Sequence, residues 1–206
     1  MSIVKLNNKA VSNATAFGSI SSLGSMTFIK KLTASGSGTL SFVDGSNGVV
    51  LDDTYKEYVF KFINIHPSAE SRFAFQTSTN GGSSYGVTAT TTFFQAYHRE
   101  DTGDTFLGYN AGEDQAQSTD FINFGEQIDP SSSDHSNSGE LFVYSPSSTT
   151  FVKHFMARQS QNYVANYLNT PFIAGYFNST NAINAFQFKM ESGNIDAGDI
   201  CLYGIA

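Results

Sequence analysis

The segment from Glu57 to Pro67 constrains the fold of this chain most, because it reads as a strand that is apolar on both faces. Side chains of a strand point alternately to opposite faces, so Tyr58, Phe60 and Phe62 share one face. The opposite face carries the aliphatic residues of the segment: Val59, Ile63 and Ile65. A strand that is apolar on both faces belongs in the interior of a sheet. Pro67 should end it, because proline lacks the N–H that a central ladder needs.

Shorter runs of strand-like sequence follow along the rest of the chain. Turn sequences such as Asn80-Gly81-Gly82 separate them, since Asn and Gly tolerate positive φ. About eight to ten short strands with frequent turns, and no helices alternating with them, are typical of an all-β fold. The sequence therefore predicts an antiparallel two-sheet sandwich or jelly roll. Ser160 to Leu168 is the one place where a short helix fits.

The chain divides into an arm and a single domain. Residues 1–25 are polar and weakly patterned, which predicts an extended N-terminal arm, either disordered or ordered by a partner. Residues 26–206 form the predicted sandwich domain. Within it, residues 99–139 are a polar segment that holds half of the chain's 18 acidic residues. Long segments of this kind in compact domains are commonly functional or mobile, and short apolar pieces such as Phe121 to Phe124 predict that it folds back on the body.

Charge and cysteine content exclude several classes of function. The formal net charge is −7, whereas nucleic-acid binding needs a basic footprint, so no nucleic-acid partner is expected. Cys201 is the only cysteine, which rules out an intrachain disulfide and a cysteine-based zinc site. Its apolar neighbours predict a small buried hydrophobe. No apolar run approaches the ~20 residues of a membrane span, and the N-terminus lacks the apolar core of a signal peptide.

Motifs that could carry chemistry have weak support, so no catalytic, metal or cofactor residue is assigned. Gly82 to Gly86 matches the Gly-x-Ser-x-Gly pattern of a nucleophile elbow, but a β-branched run follows where the motif needs a helix. The four histidines have no metal-ligand spacing. Asp101 to Asp104 and Glu113-Asp114 could offer oxygen ligands to Ca²⁺ but lack EF-hand spacing, which favours a solvated acidic surface. A polysaccharide-cleaving enzyme would need a positioned carboxylate pair, and no motif supports one.

A short stretch of tyrosines and asparagines is the candidate contact site. These side chains can stack on sugars and form hydrogen bonds with them, and tyrosine is also enriched at subunit interfaces. Both interpretations stay open for the residues concerned, which are expected to be exposed. They are Tyr163, Asn166, Tyr167 and Asn169.

Several stretches resemble a family of small structural proteins of tailed bacteriophages, especially those of marine cyanobacteria. They span nearly the whole chain apart from the N-terminal arm and the acidic segment. The stretches are Leu23 to Leu32, Tyr58 to Pro67, Thr91 to His98, Ser148 to Met156 and Gln187 to Ile205, the last including Ser192-Gly193-Asn194-Ile195 and Leu202-Tyr203-Gly204-Ile205.

This resemblance implies a non-enzymatic virion protein with a jelly-roll body, assembled in the cytoplasm of the bacterial host and displayed on the particle. It would serve as a capsid decoration (cement) protein or as a tail-associated, fibre-like component, docked through residues 1–25. The implied partners are other copies of the chain, as a trimer or another symmetric oligomer, and the major capsid or tail proteins. The alternative function is a carbohydrate-binding module of a phage tail that recognises host surface glycan.

Overall fold

The computed structural model describes residues 26–101 and 103–205, and every regular element in them is a β-strand. The predicted arm, residues 1–25, lies outside the described residues. The strands are β1 (Met26–Thr33), β2 (Leu40–Val43), β3 (Glu57–Pro67), β4 (Phe73–Ser78), β5 (Ala89–Arg99), β6 (Thr105–Tyr109), β7 (Ile122–Asn123), β8 (Asn137–Tyr144), β9 (Lys153–Tyr163), β10 (Tyr167–Phe177), β11 (Ala185–Met190) and β12 (Ile195–Ile205).

The strands form two antiparallel sheets, which confirms the predicted all-β sandwich. The large sheet has eight strands in the order β1-β12-β3-β8-β9-β10-β5-β6, and the small sheet has four in the order β2-β11-β4-β7. No helix forms among the described residues, so none there could span a membrane.

Strand order supports the jelly-roll alternative without establishing it. Without β5, β6, β9 and β10, the order is β1-β12-β3-β8 in one sheet and β2-β11-β4-β7 in the other. The neighbouring pairs are then β1 with β12, β2 with β11, β3 with β8 and β4 with β7, and they alternate between the two sheets, as in an eight-stranded jelly roll built from two Greek keys. The four remaining strands widen the large sheet on the far side of β8. The jelly roll stays a prediction that this order favours.

The central strand is where the sequence placed it. β3 lies between β12 and β8 and ends at Pro67. Phe60 and Phe62 point toward the small sheet, where both rings pack on Phe188 at centroid distances of 5.1 and 5.4 Å. Phe42 and Phe186 complete the contact around Phe60. The core is therefore a layer of interlocking aromatic rings between the two sheets.

The acidic segment is part of this body. It carries β6, β7 and the first residues of β8. Its Phe124 is fully buried and packs against Phe62, Phe73 and Phe75 at 4.8, 5.1 and 4.8 Å. The backbone of the segment also bonds to β5, since the N–H of Thr91 donates to the carbonyl of Gln115. The segment thus packs against both sheets, as its apolar pieces predicted.

The predicted short helix at Ser160 to Leu168 is wrong. β9 continues to Tyr163, a turn follows, and β10 begins at Tyr167, with Tyr163 and Tyr167 paired across the hairpin. Ala165 and Asn166 both adopt positive φ, of 67° and 60°. Left-handed residues of this kind end a strand and reverse the chain, and asparagine adopts them readily.

Candidate interaction surfaces

Two of the predicted contact residues meet in an aromatic row that crosses four strands. Tyr163 and Tyr167 stack with centroids 5.2 Å apart and an angle of 18°. The edge of Tyr97 meets Tyr167 at 5.2 Å and 84°, and Phe106 stacks on Tyr97 at 5.2 Å and 22°. The aromatic row, Phe106, Tyr97, Tyr167 and Tyr163, lies at the hairpin end of the added strands.

The rings of this row are largely engaged with one another. The hydroxyl of Tyr167 donates a hydrogen bond to Asp104 at 2.7 Å, which raises the tyrosine pKa. The guanidinium of Arg99 lies 5.6 Å from the centre of the same ring. Burial raises the pKa of Tyr163 as well. Because neighbouring strands are only about 4.8 Å apart, stacked rings cover each other's faces. A ligand at this row would therefore contact the edges of the rings more than their faces.

The two predicted asparagines have different environments. Asn166 is exposed in the hairpin turn, and its side-chain oxygen lies 3.1 Å from Nε2 of His135. Asn169 is fully buried and donates a hydrogen bond to Gln95 at 2.9 Å. The expectation that Asn169 is exposed is therefore wrong. Its position in β10 points it inward with Ile173, into the body of the protein.

A charged cluster that the sequence did not reveal joins the acidic segment to the body. Arg72 approaches the carboxylates of Glu113, Glu126 and Glu191 at 3.1, 3.6 and 3.5 Å. Asn123 donates hydrogen bonds of 3.0 Å to both Glu113 and Glu191. Three carboxylates share one guanidinium, and burial raises the pKa of Glu113 despite its bonds to Asn123 and Arg72. The cluster holds β4, the acidic segment and the turn after β11 together.

Glu113→Gln is expected to raise the melting temperature at pH 7. The pKa of Glu113 is raised above 4.5 in the folded state, so the stability that its protonated form provides is present below pH 4.5 and lost as pH rises. A neutral side chain of the same shape avoids the desolvation of the carboxylate and can still accept from Asn123. The gain should disappear in acid. Thermal melts from pH 4 to 8 measure it, with the more exposed Glu191→Gln as the matched control. A lower melting temperature for Glu113→Gln at pH 7 would contradict the expectation.

The second surface is the outer face, which we define as the face of the large sheet turned away from the small sheet. A row of residues that are neighbours across successive strands runs over this face, and none of them is charged. This apolar row consists of Phe28, Tyr203, Val59, Phe142, Met156, Ala174 and Thr92. Phe28 and Met156 are 56% and 54% exposed.

A second row runs beside the first across all eight strands. This mixed row consists of Lys31, Cys201, Lys61, Glu140, Arg158, Phe172, Phe94 and Tyr109. Glu140 pairs with Lys61 at 3.1 Å and with Arg158 at 2.8 Å. Phe172 and Phe94 stack at 5.1 Å with nearly parallel rings. The charged residues occupy one part of the row and the aromatic residues the other.

The outer face is also uneven in shape. Where the apolar row ends in the small residues Ala174 and Thr92, a shallow depression of about 390 Å³ opens between Met156, His154 and Tyr176. Phe94 projects nearby and is 44% exposed. Projections and a recess therefore lie on the same surface.

The candidate chemical motifs remain dispersed. Gly82 to Gly86 lies in the connection that leads into strand β5, and Ser84 accepts a hydrogen bond from Asn80. Among residues 26–101 and 103–205, no group of three or more His, Cys, Asp or Glu side chains is arranged to hold a metal ion. Cys201 is buried, as predicted, and burial raises its pKa.

Comparisons with protein-family models, with curated proteins and with solved structures give no match to this chain.

Proposed function

We propose that this chain is a non-enzymatic structural protein of a bacteriophage virion, an outer component that decorates the capsid or belongs to the tail. The sequence resemblance supplies the virion context, since its segments include much of β1, β3, β5 and β12. Those strands build the large sheet, so the stretches that carry the resemblance also build the surface on which the proposal relies.

The outer face is the observation that carries the proposal. Soluble monomers rarely expose contiguous apolar patches of more than a few hundred Å². Here four large apolar or aromatic residues of the outer face are 44–56% exposed: Phe28, Met156, Phe94 and Tyr109. Val59, within the apolar row, is fully buried. A broad sheet face with exposed apolar residues suits a permanent contact in an assembly better than a small-molecule site, which needs a concave pocket with convergent polar groups.

Removal of residues 1–25 is expected to leave a folded protein that no longer joins the particle. The proposed attachment lies in that segment, whereas the twelve strands of the described residues all lie between residues 26 and 205. Particles grown with the full chain or the truncated chain are purified and compared by mass spectrometry, and circular dichroism confirms the fold of the truncated protein. Unimpaired incorporation of the folded, truncated chain would contradict attachment through this segment.

A second candidate function is recognition of host glycan by a tail protein. The aromatic row favours it, because three tyrosines and a phenylalanine gather at one end of the sheet beside the exposed Asn166. Their mutual stacking counts against it. A glycan-array signal that is lost in Tyr163→Ala and Tyr167→Ala would favour this candidate over a purely structural role.

A further inference from the structure

The outer face is arranged as two complementary halves. The eight strands divide equally between β8 and β9, with β1, β12, β3 and β8 on one side and β9, β10, β5 and β6 on the other. From the edge of the sheet to its centre, the first half of the mixed row consists of Lys31, Cys201, Lys61 and Glu140. From the centre to the opposite edge, the second half consists of Arg158, Phe172, Phe94 and Tyr109. Cations and a carboxylate thus occupy one half, and an arginine and three aromatic rings occupy the other.

We propose that a second copy of this chain packs on the outer face, about a two-fold axis that runs parallel to the strands between β8 and β9. Such a rotation reverses the strand order of the partner, so β8 lies over the partner's β9 and β3 over the partner's β10. A closed two-fold contact requires a surface that is complementary to itself. The inference rests on the proposed function, since it names the partner for the contact face that supports it.

The mixed row meets this requirement along its length. Glu140 comes to face the partner's Arg158, and Arg158 faces the partner's Glu140. Lys61 faces the partner's Phe172, and Lys31 faces the partner's Tyr109, where an ammonium over an aromatic ring is favourable. The two central ion pairs extend the existing Lys61–Glu140–Arg158 ladder across the interface.

The apolar row is complementary in size. Phe142 faces the partner's Met156, and Tyr203 faces the partner's Thr92. Val59, between Tyr203 and Phe142 in the row, is fully buried and takes no part in the contact. Phe142 and Met156 are both large and meet beside the axis, whereas the large Tyr203 opposes the small Thr92, and the depression beside Ala174 can receive a side chain of the partner. Packed sheets cross at about 30° and lie about 10 Å apart. Pairs near the axis therefore stay opposite each other, whereas pairs farther from it move apart.

Area and charge also favour a second copy. Eight strands span roughly 34 Å, and the two rows with their flanks extend roughly 20 Å along the strands. This footprint is roughly 700 Å² on each copy, close to the ~800 Å² per partner of a standard stable interface. The two rows carry three cations and Glu140, and Asp199 pairs with Lys31 at 3.1 Å. The net charge of the chain is −7, but the charges on this face nearly balance, so two copies repel each other little through it.

Sedimentation of the purified full-length chain tests the proposal. A dimer is expected, whereas the sequence resemblance favours a trimer, and the measured mass separates the two. Met156→Glu places a charge at the centre of the interface and is expected to raise the dissociation constant roughly 30-fold or more. Thr39→Glu adds the same charge at an exposed position next to β2 in the other sheet and should change nothing. A monomer, a trimer, or a dimer that Met156→Glu leaves intact would overturn the proposal.

A mixing experiment tests the position of the axis. Arg158→Glu and Glu140→Arg each place like charges opposite one another in the proposed homodimer, so each variant alone should be largely monomeric. Mixed together, they restore both opposite-charge pairs between chains, although the like-charge contacts within each chain persist. A heterodimer is therefore expected on native mass spectrometry, and its absence would overturn the proposed register. Purified protein suffices, so the result is independent of whether the chain is found on particles.

Discussion

Phe60→Ala is expected to lower the free energy of unfolding by about 3–5 kcal/mol. The Phe60 ring is fully buried and lies between the two sheets, 5.2 Å from Phe42, 4.9 Å from Phe186 and 5.1 Å from Phe188. These neighbours come from β2 and β11, which hydrogen bonds within the small sheet hold in place. They cannot collapse into the space left by the ring, so a cavity adds to the lost transfer free energy.

Urea unfolding measures this loss, and Phe151→Ala is the matched control. Phe151 carries the same side chain but is 73% exposed, so its removal should change the free energy of unfolding by no more than about 0.5 kcal/mol. Similar losses for the two variants would contradict the placement of Phe60 at the centre of the core.

Gly198→Ala is expected to cost about 3 kcal/mol or more, from backbone strain and from a steric clash together. Gly198 has φ of +116°, and a Cβ there would lie 2.6 Å from the carbonyl oxygen of Asn64 and 2.8 Å from Cα of Ile65. Both are backbone atoms of β3, where the register of the β3–β12 pair shifts. Relief of the clash requires separation of the two strands.

Gly36→Ala is the control for this second substitution. Gly36 also has positive φ, of 62°, but nothing lies within 4 Å of the added Cβ. Its expected cost is the backbone term alone, about 1–2 kcal/mol. If Gly198→Ala and Gly36→Ala have equal effects on urea unfolding, the close approach of β12 to β3 is contradicted.

Local sequence was enough to predict the sandwich and its central strand. The alternating aromatic residues Tyr58, Phe60 and Phe62 indicate the face of the strand that is buried. Pro67 ends the strand because it has no backbone N–H to donate to a neighbouring strand. The residues from Ser160 to Leu168 were wrongly predicted as a short helix, because so short a segment fits both the helical period of about 3.6 residues and the strand period of about 2 residues. Positive φ at Ala165, a residue that rarely adopts it, carries little sequence signal.

The candidate surfaces were harder to predict because they depend on pairing between distant strands. Asn169 did carry a signal, since it alternates with Pro171 and Ile173, which are also buried. Lys61 and Glu140 are 79 residues apart, and Arg72 and Glu191 are 119 apart. Only the order and register of the strands bring such pairs together, and a single sequence does not encode that register in any local pattern.

Cryo-electron microscopy of phage particles purified from cells that express this chain tests the central claim most directly. The proposal predicts density for a two-sheet body of this shape at symmetric positions on the outside of the particle. Copies over the capsid lattice would identify a decoration protein, and a few copies at the tail would identify a tail component. Particles that contain no such density, from cells in which the chain is expressed, would contradict the proposed function.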